Sequence, residues 1–184
     1  MRFLPIAITI LASTALAACD NAGNGSAPKT EEARDAAGDN TLSQLLGKDD
    51  SSFAAAAKAA GLDTTLAGPG PYTVFVPSNA AFEKLPAGAM DTMMKPESRA
   101  QLTKLLSNHI LSGAILASDI GKAIDNGKGK TQLMTLGGDT LTATKDGDKI
   151  VLTDEAGGKA VVSGADGKAS NGVLHHVDGV LMPG

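Results

Sequence analysis

The chain has 184 residues, 42% of them apolar and 20% charged: the composition of one globular domain plus a tail, not of a disordered polymer. Aromatics are 3%, tryptophan is absent and acids outnumber bases by 20 to 16, for a net charge of −4. That argues against nucleic acid as a partner, which calls for stacking platforms and a basic surface. The single cysteine excludes an internal disulfide and any multi-cysteine metal site.

Residues 1–18 read as a removable targeting segment. Arg2 gives a positive start, and the run Phe3 to Ala18 carries no charge but is diluted by Pro5 and three hydroxyl residues. It is too short and too weak to span a membrane. It ends in Leu16-Ala17-Ala18-Cys19, which resembles a bacterial lipobox. Cys19 is then the lipidation site, and the mature protein is expected on a bacterial membrane facing away from the cytoplasm, on the periplasmic or cell-surface side. The other reading of these residues is a cut after Ala17 that leaves Cys19 as a free thiol. Residues 19–39 are the attachment point and a flexible tether. From Asp20 to Asp39 there is no large apolar residue to bury, and such a stretch has a root-mean-square reach of roughly 25 Å.

From residue 40 to residue 184 the pattern is that of one folded domain. Thr41 caps a short helix holding Leu42, Leu45 and Leu46, closed by Gly47. Asp50 or Ser51 caps a second helix through Phe53 and the alanine run, with Gly61 after its end. Gly68-Pro69-Gly70-Pro71 breaks the chain. Tyr72 to Val76 is a strand stopped by Pro77, and Ser78 caps a helix from Asn79 to Leu85. Asp91 to Met94 makes a loose helical turn, and a longer helix starts near Pro96 with Leu102, Leu105 and Leu106 on one face. Another helix starts at Ser118 or Asp119 and runs through Ile120 and Ile124. After Gly129 the texture changes to a β-meander: Thr131 to Leu136, Thr140 to Thr144, Lys149 to Thr153, Lys159 to Ser163 and Val173 to Met182. Its separators are Gly137-Gly138, Asp146-Gly147-Asp148, Ala156-Gly157-Gly158 and Asp166-Gly167. Helices first and strands second predict an α+β domain.

Two segments carry a family resemblance. Tyr72-Thr73-Val74-Phe75-Val76-Pro77-Ser78-Asn79-Ala80-Ala81-Phe82 resembles the first signature of the fasciclin (FAS1) domain. Asn171-Gly172-Val173-Leu174-His175-His176-Val177-Asp178-Gly179-Val180-Leu181-Met182-Pro183 resembles the second. Between them, Leu105 to Gly113 stands where that family has its Tyr-His segment, with Asn108 in place of the tyrosine and His109 matching the histidine. The resemblance implies a β-sandwich or wedge of about seven strands flanked by several short helices. It assigns structural roles to Thr73, Phe75, Pro77, Ser78, Asn79, Phe82, Asn171, Gly172, His175, Asp178 and Pro183. It makes Asn108 and His109 the candidate partner-binding residues, the alternative for His109 being a packing and hydrogen-bonding role.

The residues themselves offer little catalytic chemistry. His175 and His176 are neighbours on a strand and point to opposite faces, so one ion cannot use both. With valines on either side, His175 reads as a hydrogen-bonded core residue. No Gly-x-Ser-x-Gly elbow occurs, and Gly127-Lys128-Gly129-Lys130-Thr131 lacks the first glycine of a Walker loop. Met90, Met93 and Met94 fill a core gap or line a partner groove. No enzyme, metal or cofactor is expected. The resemblance implies an adhesion or protein-interaction module that meets an envelope or extracellular matrix protein. The alternative is a periplasmic small-ligand-binding or enzyme-accessory protein, which would need a concave pocket.

Overall fold

The computed structural model describes residues 39–184, and the readings that fall on residues 1–38, the lipid site at Cys19 among them, lie outside the described residues. After Gly129, short β-branched runs alternate in burial and are joined by glycine turns, the local recipe for antiparallel strands. β3 (Lys130–Met134), β4 (Thr140–Asp146), β5 (Lys149–Thr153) and β6 (Lys159–Ala169) pair in that order. The β4–β5 loop has two residues, and its first, Gly147, takes φ +60°, a conformation that favours glycine.

β1 (Tyr72–Pro77) pairs parallel with β7 (Gly172–Val177) and antiparallel with β2 (Ile110–Ser112). The full sheet order is β2-β1-β7-β6-β5-β4-β3. Its two edges meet: Leu111 bridges Thr135, and the Leu136 N–H donates to the Ile110 carbonyl at 2.8 Å. The sheet therefore nearly closes into a barrel, which leaves little unpaired edge.

The α+β class agrees with the sequence, and the seven strands with what the resemblance implies. Three details differ. The last strand, expected through Met182, ends at Val177, after which the chain leaves the sheet. Asp166-Gly167 is not a turn between strands but lies inside β6, where Asp166 takes φ +60° and the register with β7 shifts twice between Val162 and Gly167. The Asp-Gly pair makes a bulge, and a bulge bends a strand. The first part of β6 thus pairs with β5 and the remainder with β7, and the chain reverses at Ser170 and Asn171 instead. β2 has no counterpart in the sequence reading, because three residues carry no period and the strand exists by pairing with β1.

The helices among the described residues are α1 (Leu42–Leu45), α2 (Ser51–Ala60), α3 (Asp63–Ala67), α4 (Asn79–Glu83), α5 (Ala89–Met93), α6 (Arg99–Ser107) and α7 (Ala117–Asn126), with 3₁₀ turns at Lys48–Asp50 and Pro96–Ser98. α3 was not legible, since its Asp-Thr-Thr start has weak helix propensity. Ser78 caps α4 as expected, its hydroxyl accepting the Ala81 N–H at 3.3 Å. The expected cap of α2 is corrected. The Asp50 carboxylate turns back to the Gly47 N–H (3.1 Å), and the Ser52 N–H is taken by the side-chain oxygen of Asn79 (3.0 Å). Asn79 also donates to the Lys48 carbonyl at 3.1 Å. Asn79→Ala is expected to cost about 1–2 kcal/mol, the range for losing a cap. An unchanged midpoint in a thermal melt would contradict that.

Alternation along β1 and β7 sends side chains into two cores. Val74, Val76 and Leu174 pack with Leu42, Phe53, Leu102 and Leu106 under α1, α2 and α6. Phe75 and Val177 pack with Leu111, Leu133, Leu141, Leu152 and Leu181, covered by Ile120 and Ile124 of α7. A strand pair buried on both faces explains why Val74 to Val76 is a continuous apolar run with no polar alternation.

Candidate functional site

The residues of the first motif are spent on joining elements. The Thr73 hydroxyl donates to the Gly113 carbonyl (2.7 Å) and accepts the Ile115 N–H (2.8 Å), tying β1 to the β2–α7 loop. Phe75 stacks on the His175 ring, centroids 5.5 Å apart. Pro77 ends β1 opposite Val177, the Ser78 N–H donates to the Val177 carbonyl at 3.1 Å, and Phe82 is buried in the first core.

The second motif does the same at longer range. The Asn171 amide nitrogen donates to the carbonyls of Leu66 (2.9 Å) and Gly68 (2.8 Å), and its side-chain oxygen accepts the Leu42 N–H at 2.8 Å. Its backbone carbonyl accepts the Tyr72 N–H at 3.1 Å. A Cβ at Gly172 would overlap the Tyr72 carbonyl, so the close approach of β7 to β1 requires glycine there. The His175 Nε2–H donates to the Ile115 carbonyl (2.9 Å), while Nδ1 accepts the Asp166 N–H (3.2 Å). Those partners fix one neutral tautomer, and burial pushes the imidazole below its ordinary pKa, against the opposing influence of the Ile115 carbonyl and Asp166. The Asp178 carboxylate accepts the Val161 N–H (2.7 Å), and Lys84 donates to the Asp178 carbonyl (2.6 Å). Pro183 is half-buried beside Leu181 and Met182.

Asn108 and His109 lie where α6 gives way to β2, and both are 0% exposed. The expectation of a partner-binding pair is corrected: neither side chain reaches the surface. The Asn108 amide donates to the Asp139 carboxylate (2.7 Å) and its oxygen accepts the Thr135 hydroxyl (3.1 Å). That donated bond, with help from Lys104 and the Gly184 N–H, holds the Asp139 carboxyl below its ordinary range. The His109 Nδ1–H donates to the Leu105 carbonyl (2.9 Å), and Nε2 accepts the Leu181 N–H (3.0 Å). Its ring meets Phe53 edge-on at 6.3 Å, and burial lowers its pKa to about 4. The signal for this burial was present: Leu105, Leu106, Ile110 and Leu111 flank the pair on both sides.

Sequence reasoning missed the pairing of His176 with Asp50. The half-exposed His176 Nε2 lies 3.1 Å from one oxygen of the buried Asp50 carboxylate, whose other oxygen has no partner among the described residues. The contact spans 126 residues, so no local pattern announces it. His175 and His176 point to opposite faces as expected, and among the described residues no three His, Cys, Asp or Glu side chains gather as a metal site. Met90, Met93 and Met94 pack against the first core, half-buried. Among the described residues the exposed large apolar side chains are Met134, the last residue of β3, and Leu136 just after it. Among the described residues no helix is long and apolar enough to cross a membrane.

Comparison with known proteins gives a consistent result. The family model of the Fasciclin domain matches residues 48–183. Protein sll1483 of Synechocystis is 38% identical over 149 residues, covering 80% of this chain and 71% of that protein. Transforming growth factor-beta-induced protein ig-h3 of Sus scrofa is 37% identical over 147 residues, covering 78% of this chain and 20% of that one. Among solved structures, a FAS1 domain pair from the insect cell adhesion molecule Fasciclin I superposes with a TM-score of 0.68 at 19% identity, over 78% of this chain and 51% of that one. That likeness concerns the fold.

Proposed function

The chain belongs to the fasciclin domain family, and from that premise we propose a non-catalytic adhesion or interaction module. It is held by a lipid on Cys19 on the side of a bacterial membrane that faces away from the cytoplasm, and it contacts a macromolecule of the envelope or the extracellular matrix. One observation carries this reading. The side chains of Thr73, Asn171 and His175 from the two motifs, with Asn108 and His109, are turned inward and satisfied by the protein itself. Such groups set a rigid shape and are not free to do proton or metal chemistry. What is left for function is the outer surface. The insect neighbour, described as a cell adhesion molecule, supports the same direction.

The test has two parts. Cys19→Ala is expected to move the full-length protein out of the membrane fraction after an alkaline wash; retention there would overturn the anchor. Crosslinking on intact cells should then capture a saturable envelope or matrix component with the native protein. Capture that does not saturate, or that a misfolded variant retains equally, would count against the module.

A further inference from the structure

We infer that the outer face of β3–β6 is a binding surface for a carboxylated matrix polysaccharide, centred on Lys130, Gln132 and Thr142. This names a partner for the surface-contact reading above and rests on it. The register aligns Gln132 with Thr142, Thr142 with Thr153 and Thr153 with Lys159. One polar rung thus crosses four strands, about 14 Å at the usual strand spacing. The next rung begins with Lys130 opposite Thr144. All six positions are exposed or half-exposed, and α7, which packs on these strands, does so on the inner face through Ile120 and Ile124.

Beside Gln132 lies an open depression of about 500 Å³ lined by Gly127, Lys130, Thr131, Gln132 and Thr142. Among the described residues the side chains of Lys130, Gln132, Thr142, Thr153 and Lys159 have no protein partner. Here the polar chemistry is unspent, in contrast to the two motifs. Hydroxyls and an amide both donate and accept, which suits a polyhydroxyl ligand. Lys130 and Lys159 supply cations at either end of the array, and an ammonium forms charge-assisted hydrogen bonds with carboxylates. A protein partner would seek a large aromatic or aliphatic anchor; the Gln132–Thr142–Thr153–Lys159 rung has none, and the exposed Met134 on the same face stands one rung further on, opposite Thr140.

The test is retention of the purified full-length chain, in detergent, on immobilised alginate in calcium-free buffer, with dextran and polyglutamate surfaces beside it. Alginate should retain the protein, dextran should not, and retention should fall as salt rises. Lys130→Ala combined with Gln132→Ala should weaken binding about tenfold, the loss expected for one charge-assisted contact. Its melting midpoint should stay unchanged, because neither side chain has a partner to lose. Lys95→Ala, away from this face, should bind as the native protein does. No retention on alginate, equal retention on dextran or on polyglutamate, or an equal loss in Lys95→Ala would each overturn the assignment. The adhesion reading has its own readout, capture from intact cells, so the two can fail separately.

Discussion

Asn171→Ala is expected to destabilise the domain by about 4 kcal/mol and to lower its melting midpoint by on the order of 10–15 °C. The side chain makes three hydrogen bonds to the main chain, at Leu42, Leu66 and Gly68. Its removal loses their net contribution and strands buried N–H and carbonyl groups, each costing roughly 1–3 kcal/mol if no water replaces it. Asn171→Asp keeps the acceptor for Leu42 but sets a buried carboxylate oxygen against the Leu66 and Gly68 carbonyls, so at pH 7 it should be at least as destabilising as alanine. A shift of less than about 2 °C for alanine, a small fraction of the predicted range, would show that solvent rebuilds this junction.

Acid should weaken the domain well above the range in which carboxylates titrate. His109 has an ordinary value of 6.5 and a folded value of about 4, lowered chiefly by burial. Below pH 6.5 the unfolded chain takes up a proton that the native chain refuses. The His109 contribution is therefore whole above 6.5 and is lost as pH falls towards 4, with a total of about 3 kcal/mol. His175, shifted in the same direction by its own burial, adds to the loss. The structural reason at His109 is local. Nε2 accepts the Leu181 N–H, and a proton there would set two donors against each other. His109→Phe should lower stability at pH 7 and flatten the profile between pH 6.5 and 4.5. Parallel profiles for native and variant protein, followed by denaturant melts, would contradict this origin.

What could be read from the residues divides along a physical line. The meander strands β3 to β5 and their turns were legible because alternation and glycine turns are local signals. The two motifs located β1, β7 and the Ser78 cap for the same reason. Asp166-Gly167 misled because the same dipeptide serves a hairpin turn and a bulge, and only the partner strand decides between them. The cap of α2 by Asn79, the pairing of Asp50 with His176 and the Asn171 junction join residues 27 to 129 positions apart. Local propensity is silent about such contacts. Asn108 and His109 were placed at a partner surface by resemblance, whereas the leucines and isoleucine around them already pointed inward. The polar face of β3–β6 was visible only as lysines and threonines in strands, since register is what lines them up.

The Ser170 N–H donates to the Asn40 carbonyl at 2.9 Å, and two residues later the Leu42 N–H meets Asn171. The chain thus enters the domain at the β6–β7 turn, beside its main polar junction. In mechanical terms, a pull on the chain ahead of Asn40 is not absorbed by a peripheral helix that can peel away. It arrives at the Asn171 junction and passes through the Tyr72 N–H into the central β1–β7 pair. For a module held at one end and loaded at another, the point that bears tension is also the point that sets thermal stability.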